Sequence, residues 1–451
     1  MPLSPALRAR LRPLTGVTGV WVGFVVVHAL LIWQAHAHAG MMFGDVDLYR
    51  TWAQQGLKDG TWPVVDFTWV YPFGALVPVT VPGFLSLDEG AYQNTFLLLV
   101  TALDAIAVAC LVHRGPRRTV GAWWWLVFLL ALGPIGMCRL DGIAAPLTVI
   151  ALAQLLPSRS RTSGRPALAS VIATYAAWVK VAPGAVLVPL ALTEKRPWRR
   201  VVLPAAVVSV VVVGTAAVLG GGGRVLGFLT EQGTRGLQVE SGAATPFSVA
   251  RLWSGDYKAY FNDALVVIEL GGPGTHAMAS ALNVLLVLAV AAIAVLTWRA
   301  AVNQRRDLPD EDERRLPQLE LVLLSTTALT LSLFAFNKVG SPQYVAWFAP
   351  PVAVALTAFR PAESRVAGAR AWRVVAVVLV VVAVLTQILY PWRYAKYWLY
   401  AVPFDVVNEA VRNVAILALA AGLTVLLGRH ARPRRGVTAS SEASSAPVDG
   451  S

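Results

Sequence analysis

Charge is scarce in this chain: only 14% of its 451 residues are Asp, Glu, Lys or Arg, where soluble domains carry roughly 25%. That deficit excludes a soluble domain with an ordinary charged surface. Cysteine is almost missing. The two present, Cys110 and Cys138, lie inside or at the edge of apolar runs without CxxC spacing, which excludes a disulfide framework and a cysteine-ligated metal cluster. Acidic residues are outnumbered, 25 against 38 basic ones, and only Asp104 falls deep within an apolar run. No internal repeat is visible, so solenoids and repeat arrays are excluded. The paired half-repeats common in secondary transporters are also missing.

What the chain has is apolar length. Hydrophobic residues make up 56% and mean hydropathy is +0.60, in many separate runs near the ~20 residues needed to span a hydrocarbon core. The expected fold is all-α, one polytopic membrane domain over 1–428 with a disordered cytoplasmic tail at 429–451. Taking Arg8, Arg10 and Arg12 as cytoplasmic, twelve spans follow, at about 16–34, 91–112, 121–137, 142–157, a hairpin of two short helices within 167–193, then 200–219, 277–298, 318–336, 342–359, 371–390 and 411–428. Both termini are then cytoplasmic, and long external loops cover 35–90 and 220–276. Most of the 38 Lys and Arg fall on the side read as cytoplasmic, although the two longest loops are external. The apolar stretch 71–86 carries three prolines and is expected as a re-entrant piece of the first external loop. The formal charge of +13 is thus topogenic, and no nucleic-acid partner is implied.

On this topology the polar residues near the outer surface gather from several loops. Asp45 and Asp47 lie in "GDVDLYR", Arg139 and Asp141 in "CRLD", and Lys180 in the hairpin turn. Arg235, Gln238 and Glu240 come from the second long loop, Lys338, Gln343 and Tyr344 from "NKVGSPQY". Carboxylates beside several cations suit a reaction in which a base activates a hydroxyl while cations hold an anionic leaving group. At this depth the natural leaving group is a lipid phosphate. The duller expectations are solvated loop charges, Asp45 capping a surface helix at 46–57, and interfacial belts for the tryptophans at 123–125 and the Tyr/Trp cluster at 390–400. His28, His36 and His38 are not read as a metal site. A divalent cation, magnesium or manganese, bridging Asp45 or Asp47 to a phosphate stays open.

The stretches "GDVDLYRTWAQ", "DGTWPVVDFTWVYPFGAL", "CRLDGIAAPL", "AWVKVAPGAVLVPLAL", "TRGLQVESGAATP" and "NKVGSPQYVAWFAP" resemble successive motifs of glycosyltransferase family 87. That family is the polyprenyl-phosphate-mannose-dependent mannosyltransferase type of the glycosyltransferase C superfamily. The resemblance runs over roughly residues 15–400. It implies a glycosyltransferase C-like multi-pass fold, a polyprenyl-phosphate sugar donor, a lipid or glycan acceptor, an active site on the external face of the cell membrane, and inversion at the anomeric carbon. It also implies that the aspartate of a "DxxxY" pattern, here Asp45, acts as base, with Asp47 able to share the role. Lys180, Lys338, Gln343 and Tyr344 match family positions near the site. "YPF" here departs from the usual "YPP", and Pro342-Gln343 stands where better-known mannosyltransferases carry histidine, which leaves mannose and a pentose such as arabinose both open. The competing class, a secondary transporter or lipid flippase, predicts ionisable residues at mid-bilayer rather than at one surface.

Overall fold

The computed structural model describes residues 16–114, 118–157, 164–233, 235–263, 265–359 and 367–432. Most of the expected tail lies outside the described residues, and its first few positions continue the last helix, Pro403–His430.

The chain is a polytopic helical protein. Among the described residues seven helices are long and apolar enough to cross a membrane: Val17–Ala37, Glu89–His113, Trp198–Val218, Thr275–Asp307, Glu311–Ala335, Arg370–Leu389 and Pro403–His430. They cover seven of the twelve expected spans. The others are short helices, Thr119–Leu132, Asp141–Ala153, Pro166–Val179 and Ala182–Thr193, with a 3-10 turn Pro342–Phe348 leading into Ala349–Ala358. Thirteen residues of helix measure about 20 Å, less than the ~30 Å hydrocarbon core. Asp141–Ala153 lies in the interior, with every residue but one buried, whereas Val207, Val210 and Val211 of the long helix Trp198–Val218 are exposed in the manner of a lipid-facing surface.

The breaks between short helices place polar side chains inside the bundle. Pro183 cannot continue the helix Pro166–Val179, because its ring meets the carbonyl of residue 179 and it has no N–H to donate. The chain therefore leaves the helix at Lys180, in extended backbone. Gly133 ends Thr119–Leu132 with φ +76, a conformation that favours glycine; a Cβ there would also lie 2.5 Å from the Gln387 side chain. Pro134 then starts a 3-10 turn that delivers Cys138, Arg139 and Leu140 to the interior. The 71–86 stretch forms the turn Phe73–Ala75 and the helix Leu76–Leu85, too short to cross.

The only sheet among the described residues is a hairpin in the second long loop, Lys258–Asn262 paired antiparallel with Val267–Gly271. A small second core, including Leu237, Val239, Leu270, Tyr397 and Val406, seats this loop on the last helices.

Candidate functional site

The amphipathic helix Gly44–Asp59 follows the first span. Asp45 and Tyr49, four residues apart, share one face, and that face turns inward: Tyr49 is fully buried. Asp45 makes no capping hydrogen bond, since the N-cap is Phe43. Its Oδ2 instead meets Arg139 Nε at 2.8 Å, with the arginine side chain 8% exposed and the aspartate 37%. Arg139 is fixed further by donating to the carbonyls of Met42 at 2.6 Å and Cys138 at 2.7 Å, and to the Tyr390 hydroxyl at 3.1 Å. The Tyr49 hydroxyl accepts from the Leu140 N–H at 3.3 Å, clamping the same turn. Arg139 is therefore an interior side chain.

A second ion pair lies in the same cluster. Lys180 Nζ is 3.4 Å from Asp141 Oδ2, while Asp141 Oδ1 accepts from Trp347 Nε1 at 2.6 Å. The ammonium sits 5.0 Å from the Tyr71 ring centre and 5.5 Å from that of Tyr344, within cation–π range. Tyr344 stacks on Trp347 at 4.0 Å.

Burial opposes charge on Lys180, but Asp141, with Tyr71, Tyr344 and Asp45 assisting, outweighs it and holds the ammonium above the usual lysine range. Burial likewise works against Arg139, and Asp45, with Tyr390, Tyr49 and Cys138 assisting, outweighs it, so the guanidinium stays charged. The Cys138 thiol is pushed up to about 12 by burial despite Arg139 beside it, which makes it a poor nucleophile. Tyr49 and Tyr71 are both raised, first by burial and then by neighbouring charge, with Lys180 pulling Tyr71 the other way.

Arg235 acts electrostatically on Tyr344, and its buried Nε has no hydrogen-bond partner. Thus Asp45, Arg139, Asp141, Lys180 and Tyr344 come together, with Arg235 at their edge. The remaining nominated residues make other contacts or flank the cluster. Asp47 faces another way and accepts from Gln93 Nε2 at 2.7 Å. Gln238 braces two loops: its N–H donates to the Lys338 carbonyl at 2.9 Å and its Oε1 accepts from the Gly340 N–H at 3.1 Å. Lys338 is buried, with its pKa lowered by that burial against a smaller opposing pull from Glu269. Gln343 is buried beside Tyr344.

Glu240 belongs to a separate interior network. Arg412 Nη1 meets its Oε2 at 3.1 Å with both side chains almost fully buried, and Glu409 lies 3.8 Å from the same guanidinium. Asn413 joins by donating to Glu409 and Thr245. The sequence gives no sign of this network, because its halves are far apart along the chain. Trp347 and Tyr390 were also missed as site neighbours. Trp347 sits three residues after Tyr344, a spacing that signals a shared face. The aromatics expected as belts are partly interior, with Trp125 and Tyr397 fully buried and Tyr390 nearly so.

Deep in the first spans, His28 Nε2 is 3.3 Å from Asp104 Oδ2, and Trp125 Nε1 donates to Asp104 Oδ1 at 3.2 Å. Both oxygens of that acid are occupied, so the three groups tie three helices together. Among the described residues no three His, Cys, Asp or Glu side chains are grouped closely enough to hold a metal ion.

Comparison of the chain with family models, with curated proteins and with solved structures finds no match in any of the three.

Proposed function

We propose that the protein is a membrane glycosyltransferase of twelve passes, its short helices completing the count, with the Asp45 cluster on the outer face of the cell membrane. The observation that carries this reading is a partly exposed carboxylate, Asp45, gripped by a buried arginine and set beside the Lys180–Asp141 pair and Arg235. In this reading Asp45 takes the proton from an acceptor hydroxyl. The hydroxyl oxygen bonds to the anomeric carbon of a polyprenyl-phosphate sugar, and the bond from that carbon to the phosphate oxygen breaks. The carbon inverts, and polyprenyl phosphate leaves with the electron pair. Its added charge is met by Arg235 and Lys180, while Arg139 orients Asp45. Mannose is the sugar that the motif resemblance favours, and a lipid or glycan hydroxyl is the acceptor.

Asp45 and Asp47 engage different partners, Arg139 and Gln93, so one base and not a pair of carboxylates is assigned to the step. The transporter reading finds its best support in the His28–Asp104 pair, yet that pair is capped by Trp125 and serves as a tether.

The test is reconstitution in liposomes with a polyprenyl-phosphate-linked sugar and a lipid acceptor. Release of polyprenyl phosphate is expected, and Asp45→Asn should lower it by about 10²–10⁴, the usual worth of a positioned base. Full turnover in Asp45→Asn would remove the proposed base.

A further inference from the structure

A cavity of about 1060 Å³ lies away from the Asp45 cluster. Its lining includes Leu155 and Pro157, just past the C-terminal end of Asp141–Ala153, and Arg165 and Leu168 at the N-terminal end of Pro166–Val179, whereas Asp141 and Lys180 occupy the opposite ends of those two helices. The positive-inside rule places this end at the cytoplasmic surface.

Six cations line it: Arg165, Lys195, Arg200, Arg305, Arg314 and Arg315. Three carboxylates, Glu194, Glu311 and Asp312, oppose them, so the lining carries excess positive charge. Arg305 and Arg314 are committed to backbone carbonyls, and Arg200, Lys195 and Arg315 each pair with a lining carboxylate. Arg165 has no side-chain ion pair among the described residues. The rest of the lining is mostly aliphatic, with Leu155, Leu190 and Leu319 contributing beside the polar Thr193 and Gln318, and contains no aromatic ring. Trp198, 67% exposed, stands beside Arg199 and Arg200 and marks the interfacial level.

We infer that this cavity binds the headgroup of an anionic phospholipid of the cytoplasmic leaflet, with the phosphate among the arginines and the upper acyl chain along the leucines. Basic pockets between membrane helices on this side take such headgroups. The volume suits a headgroup with part of its chains, and the lack of a stacking surface argues against a nucleotide. The site is independent of the chemistry assigned to the other end of the bundle.

The experiment titrates full-length, delipidated protein in detergent with phosphatidylglycerol, phosphatidylcholine or inorganic phosphate, and counts bound lipid by native mass spectrometry. Phosphatidylglycerol should saturate at a discrete stoichiometry that falls with salt, and phosphatidylcholine should not. The combined variant Arg165→Gln/Lys195→Gln/Arg315→Gln should weaken phosphatidylglycerol binding at least tenfold. Glu311→Gln, which adds net positive charge without touching the braced arginines, should tighten it, so a folding defect in the first variant does not decide the matter. Unchanged binding in both variants would overturn the inference. So would full displacement of the lipid by equimolar inorganic phosphate, which would make this a site for small anions.

Discussion

Lys180 shows how little room a single residue has here. Its ammonium is the countercharge of Asp141, which is fully buried, and removing one partner of a buried pair costs about 3–5 kcal/mol. Lys180→Met should therefore lower the melting temperature in detergent sharply, and adding Asp141→Asn should recover part of the loss. A melting temperature unaffected by Lys180→Met would mean that the pair is solvated. Since the folded pKa is raised, the pair's contribution is fully present below the unfolded lysine value of about 10.4 and is lost only as pH climbs through the higher folded value. The gap in melting temperature between wild type and Lys180→Met should thus stay constant from about pH 7 to pH 9.5. Asp45 and Arg139 were both legible as site candidates, and their pairing was not: Arg139 reaches Asp45 because Gly133 and Pro134 turn the chain back into the bundle.

At the scale of elements, the loop 236–251 is held by the last helix through Glu240, Arg412, Glu409 and Asn413, by Tyr397 donating to the Val239 carbonyl at 2.7 Å, and by Arg251 donating to the Trp398 carbonyl at 2.6 Å. Arg412→Met would leave two buried carboxylates facing each other, at a cost again of about 3–5 kcal/mol. The expected result is faster protease cleavage within the loop, read by timed digestion, while the Asp45 end keeps its resistance. The long helices were readable from apolar length and charge, and the Lys180 turn from Pro183 and Gly184. The Glu240 network was hidden for a plain reason. Its residues look like loop charge on one side and the polar end of a span on the other, and only packing of the loop onto Pro403–His430 turns them into partners.

For the whole molecule the matter to settle is sidedness. A label at position 240 would fail for want of access, because Glu240 is buried; Tyr260 in the hairpin and Asp310 between two long helices are both exposed. With Cys110 and Cys138 replaced, an impermeant thiol reagent added to intact cells should modify Tyr260→Cys and spare Asp310→Cys until the membrane is opened. The reverse pattern would invert every loop. Short helices with a charged residue at one end and a cavity at the other have a mechanical consequence. Asp141–Ala153 and Pro166–Val179 are stiff struts about 20 Å long, with Asp141 and Lys180 at one end and the basic cavity at the other, so a tilt imposed at the cavity end would be felt as a change in the spacing of that ion pair.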